Sequence, residues 1–103
     1  MIARQWIDEI LELDADTYGK YLEETGLKES RATKGNQGVW LLRRVHDGRA
    51  EFVVVSLWDS FESIKAFAGP DYEKAVYYPE DKKFLLKLAP QVTRFEARVG
   101  PVR

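Results

Sequence analysis

Apolar positions along this chain recur with two different periods, and nearly every change of period falls on a cap or turn residue. Through residues 2 to 12, Ile2, Trp6 and Ile10 recur among polar neighbours, which predicts a first strand, and Asp14 stands as the N-cap of a helix beyond it. From Asp14 to Thr25, the side chains Tyr18, Tyr21, Leu22 and Thr25 fall at helical spacing. Gly26, ahead of apolar Leu27, occupies the place of a left-handed C-terminal cap. Residues Lys28 to Gln37 are polar, with Gly35 and Asn36 near their end, and read as a solvated loop.

Two β-rich runs come next, Gly38 to Val45 and Ala50 to Trp58, joined by His46-Asp47-Gly48-Arg49. Asp-Gly supplies the positive φ angles of a tight hairpin turn. Asp59 with Glu62 three residues later predicts a capping box, and Phe61, Ile64, Phe67 and Ala68 make one apolar helical stripe that stops at Gly69-Pro70. Tyr72 to Val76 predicts a further helical turn. Tyr77-Tyr78-Pro79 should be extended, because a residue before proline avoids the α region. Pro79-Glu80-Asp81 then suits the start of a helix running through Leu88. Gln91 to Val99 alternates Val92 and Phe95 with charged neighbours and predicts a closing strand. The order strand, helix, strand, strand, helix, strand is that of the ferredoxin-like α+β fold, an antiparallel sheet with its helices on one face.

That arrangement leaves a face uncovered. In the hairpin, Val39, Leu41 and Val45 point one way and Trp40 and Leu42 the other; in the next strand Phe52, Val54 and Trp58 oppose Val53, Val55 and Leu57. Both faces are apolar and two helices cover only one, so a second copy stacked on the bare face is the simplest cover. The pattern therefore predicts a homodimer.

Composition narrows the chemistry. The length of 103 residues suits one domain spanning residues 1–103, and 16 Lys and Arg against 17 Asp and Glu leave a net charge of -1. That balance provides no field to gather nucleic acid or anionic lipid. Cysteine is absent, which removes disulfides, thiolate catalysis and Cys-ligated metal. No apolar run has the length of a membrane span or the character of a signal peptide, and the expected location is cytoplasmic. The strand Glu51 to Trp58 lacks the basic-Gly-aromatic signature of RNA-binding modules of the same fold.

The strand end Val53-Val54-Val55-Ser56-Leu57-Trp58 runs into Asp59-Ser60-Phe61-Glu62-Ser63-Ile64-Lys65-Ala66-Phe67. This Trp-x-Ser-x-Glu-x-x-x-x-Phe pattern resembles the antibiotic biosynthesis monooxygenase domain family, and the resemblance covers nearly the whole chain. The segment Tyr77-Tyr78-Pro79-Glu80-Asp81-Lys82-Lys83-Phe84-Leu85-Leu86 looks like the signature of one subgroup. The resemblance implies a dimeric α/β barrel. It also implies activities ranging from cofactor-independent oxygenation of phenolic rings through quinol oxygenation to haem degradation, with many members of no assigned activity. In the haem-degrading branch a first-strand Asn, a second-helix Trp and a His shortly after it form the site. The positions that look equivalent here are Trp6, Phe67 and Tyr77, and all three differ. The single histidine, His46, lies in the predicted turn. Haem binding or degradation is therefore a minor alternative, kept open because tyrosine can ligate ferric haem.

In the cleft implied by the resemblance lie Trp6, Phe67, Tyr72, Tyr77 and Tyr78. A cofactor-independent monooxygenase of an aromatic or quinol-like small molecule needs no metal, flavin or haem. The deprotonated substrate itself supplies electrons to oxygen, and the protein binds, orients and stabilises the anion. Tyr77, Tyr78 and Arg4 are the catalytic candidates on that reading, Arg4 being two residues from Trp6 on the same strand face, while Trp6, Phe67 and Tyr72 are the substrate-binding walls. The opposing reading is a non-catalytic dimer, a small-ligand or structural protein, in which the aromatic residues pack a core and Arg4 pairs with a surface carboxylate. Glu23-Glu24 and Glu80-Asp81 read as solvated helical charges. An open cavity of roughly 300 Å³ would favour the enzyme and a filled core the non-catalytic protein.

Overall fold

The computed structural model describes residues 1–98 and shows a ferredoxin-like α+β domain. Its sheet has the order β2-β3-β1-β4 and is antiparallel throughout. β1 (Ile2–Leu11) lies inside the sheet, paired along its length with β3 (Arg49–Trp58), from Ile2 opposite Trp58 to Leu11 opposite Arg49. β2 (Asn36–His46) forms one edge and β4 (Thr93–Glu96) the other. The β2–β3 hairpin turns on Asp47 and Gly48, both at positive φ (50° and 74°), as Asp-Gly requires. Val99, the last residue of the predicted closing strand, lies outside the described residues.

The helical side departs from the pattern reading in four places. First, α1 (Ala15–Glu24) is followed at once by α2 (Gly26–Ala32), where a loop was expected. Gly26 does not adopt positive φ; the break is at Thr25 (φ -116°, ψ -96°), whose amide reaches the Tyr21 and Leu22 carbonyls. The helix resumes because Leu27 and Ser30, one turn apart, both bury while the charged residues between them face solvent. Second, Asp14 flanks α1 without a side-chain cap bond. Ser60, not Asp59, caps α3 (Phe61–Ala68) by accepting from the Ser63 amide at 3.2 Å.

Third, Tyr72 to Val76 forms no helix. Its backbone bonds outward: the Ala75 amide donates to the Pro90 carbonyl, and the Val92 amide to the Glu73 carbonyl. Fourth, the helix expected from Pro79 to Leu88 shrinks to α4 (Asp81–Phe84). Beyond it the Leu86 amide bonds the Glu9 carbonyl and Leu85 bridges Ile10, so the chain extends along β1. In both segments long-range backbone pairing overrides local propensity.

The main core lies between α1, α2 and the inner sheet face. Tyr18 stacks between Phe52 (ring centroids 5.6 Å) and Phe84 (5.3 Å), over fully buried Ile10 and Ala50. On the opposite face Ile7, Trp40, Leu42 and Phe95 are 42% to 51% exposed, with half-buried Val53 and Val55 between them. Gly38 on this face is covered by its neighbour, since a Cβ there would lie 2.8 Å from the Trp40 ring. Among the described residues no helix is long and apolar enough to cross a membrane.

Candidate functional site

Strand alternation sends Arg4, Trp6, Asp8 and Ile10 to the helix side of β1. Their partners across the β1–β3 ladder share that side, Ser56 opposite Arg4 and Val54 opposite Trp6. Over these residues close Tyr18 and Leu22 from α1, Leu27 and Ser30 from α2, Phe67 from α3, and Val76, Tyr77, Tyr78 and Asp81 from the connecting segment. They enclose about 50 Å³ of free space. On the floor Arg4, Trp6 and Ser56 are buried and Val54 is half-buried, whereas half-buried Gly26, Phe67, Val76, Tyr77 and Tyr78 form the rim.

The dominant electrostatic feature is Arg4, only 6% exposed. Its Nη2 donates to the Lys74 carbonyl at 2.9 Å and its guanidinium lies 5.6 Å over the Phe67 ring. Among the described residues no carboxylate pairs with it, and its buried Nε has no acceptor. Burial lowers its pKa to about 10, which leaves it charged at neutral pH. Uncompensated buried cations are costly, so Arg4 is not explained by packing.

The buried carboxylates are committed elsewhere. Asp8 accepts from the Glu9 amide (2.9 Å) and the Ala89 amide (3.1 Å), with the Tyr77 hydroxyl 3.5 Å away. Asp81 accepts from the Tyr18 hydroxyl at 2.8 Å and from the Tyr78 amide. Tyr77 accepts from Trp6 Nε1 at 3.2 Å and donates to the Ala89 carbonyl, its ring meeting Trp6 edge-on at 6.4 Å. Tyr78 donates to the Glu29 carboxylate on α2. Burial is the main cause holding the Tyr18, Tyr77 and Tyr78 phenols above their ordinary pKa, and neighbouring carboxylates add to it.

Of the residues singled out in the sequence, Arg4, Trp6, Phe67, Tyr77 and Tyr78 come together around this cavity. Tyr72 does not. It packs on Phe61 at 5.4 Å, on the outside of α3, with Arg94 and Lys65 against its ring. Arg4 is buried rather than paired at the surface. Asp81, expected to be solvated, is 2% exposed because Tyr18 and the Tyr78 amide replace its water. Sequence reasoning passed over Ser30 and Ser56. Ser56 was marked by its position, a polar residue among the inward-facing Phe52, Val54 and Trp58. The cavity falls short of the roughly 300 Å³ typical of a preformed ligand pocket. His46 sits at the exposed hairpin turn beside Asp47, 3.0 Å away.

No protein-family model and no curated protein matches the sequence. Solved structures do match. A proposed antibiotic biosynthesis monooxygenase from Bacillus cereus aligns with TM-score 0.61 and 14% identity over 99% of this chain and 96% of that one. An MhuD variant with two manganese protoporphyrin IX molecules bound per active site gives TM-score 0.61 and 17% identity over 100% of both chains. The heme-degrading protein Rv3592 from Mycobacterium tuberculosis gives 0.53 and 19%, over 99% of this chain and 100% of that one. At these identities the likeness is one of architecture: the chain has the ferredoxin-like fold of the antibiotic biosynthesis monooxygenase-like structures.

Proposed function

We propose that this protein binds a small acidic aromatic molecule in the cavity beside Arg4 and oxidises the bound anion with dioxygen, as a cofactor-independent monooxygenase. The observation that carries the proposal is the buried Arg4 guanidinium, with an unpartnered Nε and no counter-ion among the described residues. A bound phenolate or enolate supplies the missing charge, and the low-dielectric site strengthens its hold on that anion. In the reaction an activated CH₂ beside a phenolic ring becomes a carbonyl. One oxygen atom enters the product, and the other leaves as water with the two hydrogens, so the substrate provides all the electrons. Trp6 and Phe67 wall the ring and Tyr78 stands at the rim, while Tyr77 holds the Trp6 indole in place.

A second reading, ligand binding without turnover, is favoured by the size of the cavity. About 50 Å³ holds a compact head group, and a whole ring enters only if Val76, Tyr77 and Tyr78 move outward. Haem fits poorly. The single histidine is at the exposed turn, the Tyr77 hydroxyl is already bonded on both sides, and the cavity is far smaller than a porphyrin.

The same reading makes the protein a cytoplasmic homodimer joined through the bare sheet face. Ile7, Trp40, Leu42 and Phe95 form an apolar surface of the kind that a second copy covers.

Oxygen uptake tests the enzymatic reading, using protein free of added metal, flavin or haem and a panel of hydroxyanthrones and hydroquinones. Uptake above the spontaneous rate that is lost in Arg4→Met and reduced in Tyr77→Phe is the expected result. No uptake with any compound leaves the ligand-binding reading in its place.

A further inference from the structure

We infer that Arg4, Ser56 and Ser30 form a wall of unused donors that receives the head group of an organic monoanion, a carboxylate or phenolate oxygen, with the two serines strengthening the hold on that group. The inference rests on the reading that this cavity is the ligand site and specifies what the site selects.

Hydrogen-bond direction decides the matter. Trp58 Nε1 donates to Ser56 Oγ at 2.9 Å in the buried interior. An indole N–H can only donate, so the serine oxygen is the acceptor and its own proton is left to give. Ser30 is constrained in the same way at one remove. The Gly38 amide donates to Asn36 Oδ1 at 3.0 Å, which fixes the orientation of the side-chain amide, and Asn36 Nδ2 then donates to Ser30 Oγ at 3.2 Å. Both serines are at most 4% exposed, both line the cavity, and neither hydroxyl donates to an acceptor among the described residues. Ser56 sits directly across the ladder from Arg4, whose Nε also lacks an acceptor. Buried donors without acceptors are rare in folded proteins, and three on one small cavity call for an acceptor-rich guest.

Charge restricts that guest further. Among the described residues Arg4 is the only cation lining the cavity, whereas Asp81 lines it too and Asp8 lies next along the β1 face from Trp6. One positive charge balances a monoanion, and a dianionic phosphate would remain undercompensated beside those carboxylates.

The test is binding under nitrogen, monitored by tryptophan fluorescence, with benzoate and 4-nitrophenolate as anions, benzamide as the neutral isostere and inorganic phosphate as the dianion. The two organic anions should bind at least about tenfold more tightly than benzamide or phosphate, and Arg4→Met should abolish the difference. Ser56→Ala should weaken both anions about tenfold; Ser30→Ala provides the same readout if the loss of the Trp58 acceptor unfolds the first variant. Benzamide binding as well as the anions, serine variants indistinguishable from wild type, or no binding by any probe would each overturn the inference. Anion binding without oxygen uptake sinks the oxygenase reading and leaves the donor wall standing. Uptake that depends on Arg4 but ignores both serines does the reverse.

Discussion

Tyr18 and Asp81 are joined by a 2.8 Å hydrogen bond across 63 residues of sequence, and the phenol that makes it is stacked in the centre of the core. The bond ties α1 to the segment that carries Tyr77 and Tyr78, and so holds the rim of the cavity in place. Removing the hydroxyl leaves a buried carboxylate short of a donor. Tyr18→Phe should therefore cost about 1–3 kcal/mol, read as a lower denaturant midpoint at unchanged m-value. A midpoint equal to wild type would show that water replaces the hydroxyl at Asp81.

Alkaline pH should unfold the protein earlier than its composition suggests. The Tyr18, Tyr77 and Tyr78 phenols are held above their ordinary value of 10.0, chiefly by burial. In the unfolded chain they lose protons near that pH while the folded protein keeps them, so stability is complete below about pH 10 and falls as pH rises beyond it. Arg4, lowered to about 10, acts in the opposite direction as a single group against three. Denaturant titrations from pH 8.5 to 11 should show the decline, and Tyr18→Phe should make it shallower. A flat profile contradicts the burial of these phenols.

The sheet face should carry the dimer. Leu42→Glu places a charge at a position 51% exposed in the single chain, on the β2 edge strand of the apolar face. Light scattering should give twice the 11.9 kDa chain mass for wild type and a single chain mass for the variant, with circular dichroism unchanged. A wild-type monomer at micromolar concentration would remove the dimer from the account.

The hairpin was legible in the sequence because its information is local: Asp47-Gly48 dictates the turn, and the two apolar runs beside it can only pair with each other. The same holds for α3, whose stripe and Gly69 stop lie within ten residues. The segments that were misread are those decided from far away. Gly26 looked like a stop signal, and only the burial of Leu27 and Ser30 continues the helix past it. Tyr72 to Val76 gave its backbone bonds to residues 90–92, and Asp81 was drawn inside by Tyr18. Within the site, Trp6 and Arg4 were readable from strand alternation, Phe67, Tyr77 and Tyr78 only through the family resemblance, and Tyr72, named with them, lies outside the cavity. Ser56 was marked as a polar residue on an apolar strand face, but the free volume and the part played by Ser30 depend on how α2 packs on the sheet, which no local pattern encodes.

Arg4 decides between a binding site and a packed core, and its effect on stability is the most direct measurement of that choice. Chemical denaturation of Arg4→Met beside wild type, with no ligand present, compares a buried unpaired guanidinium with an apolar side chain of similar reach. If Arg4 is kept for an anionic guest, the variant should be as stable as wild type or more stable by about 1 kcal/mol or more, since the substitution removes an uncompensated buried charge. A loss of more than about 1 kcal/mol would mean that the bonds Arg4 makes to Lys74 and Phe67 hold the fold together, and would contradict the central claim.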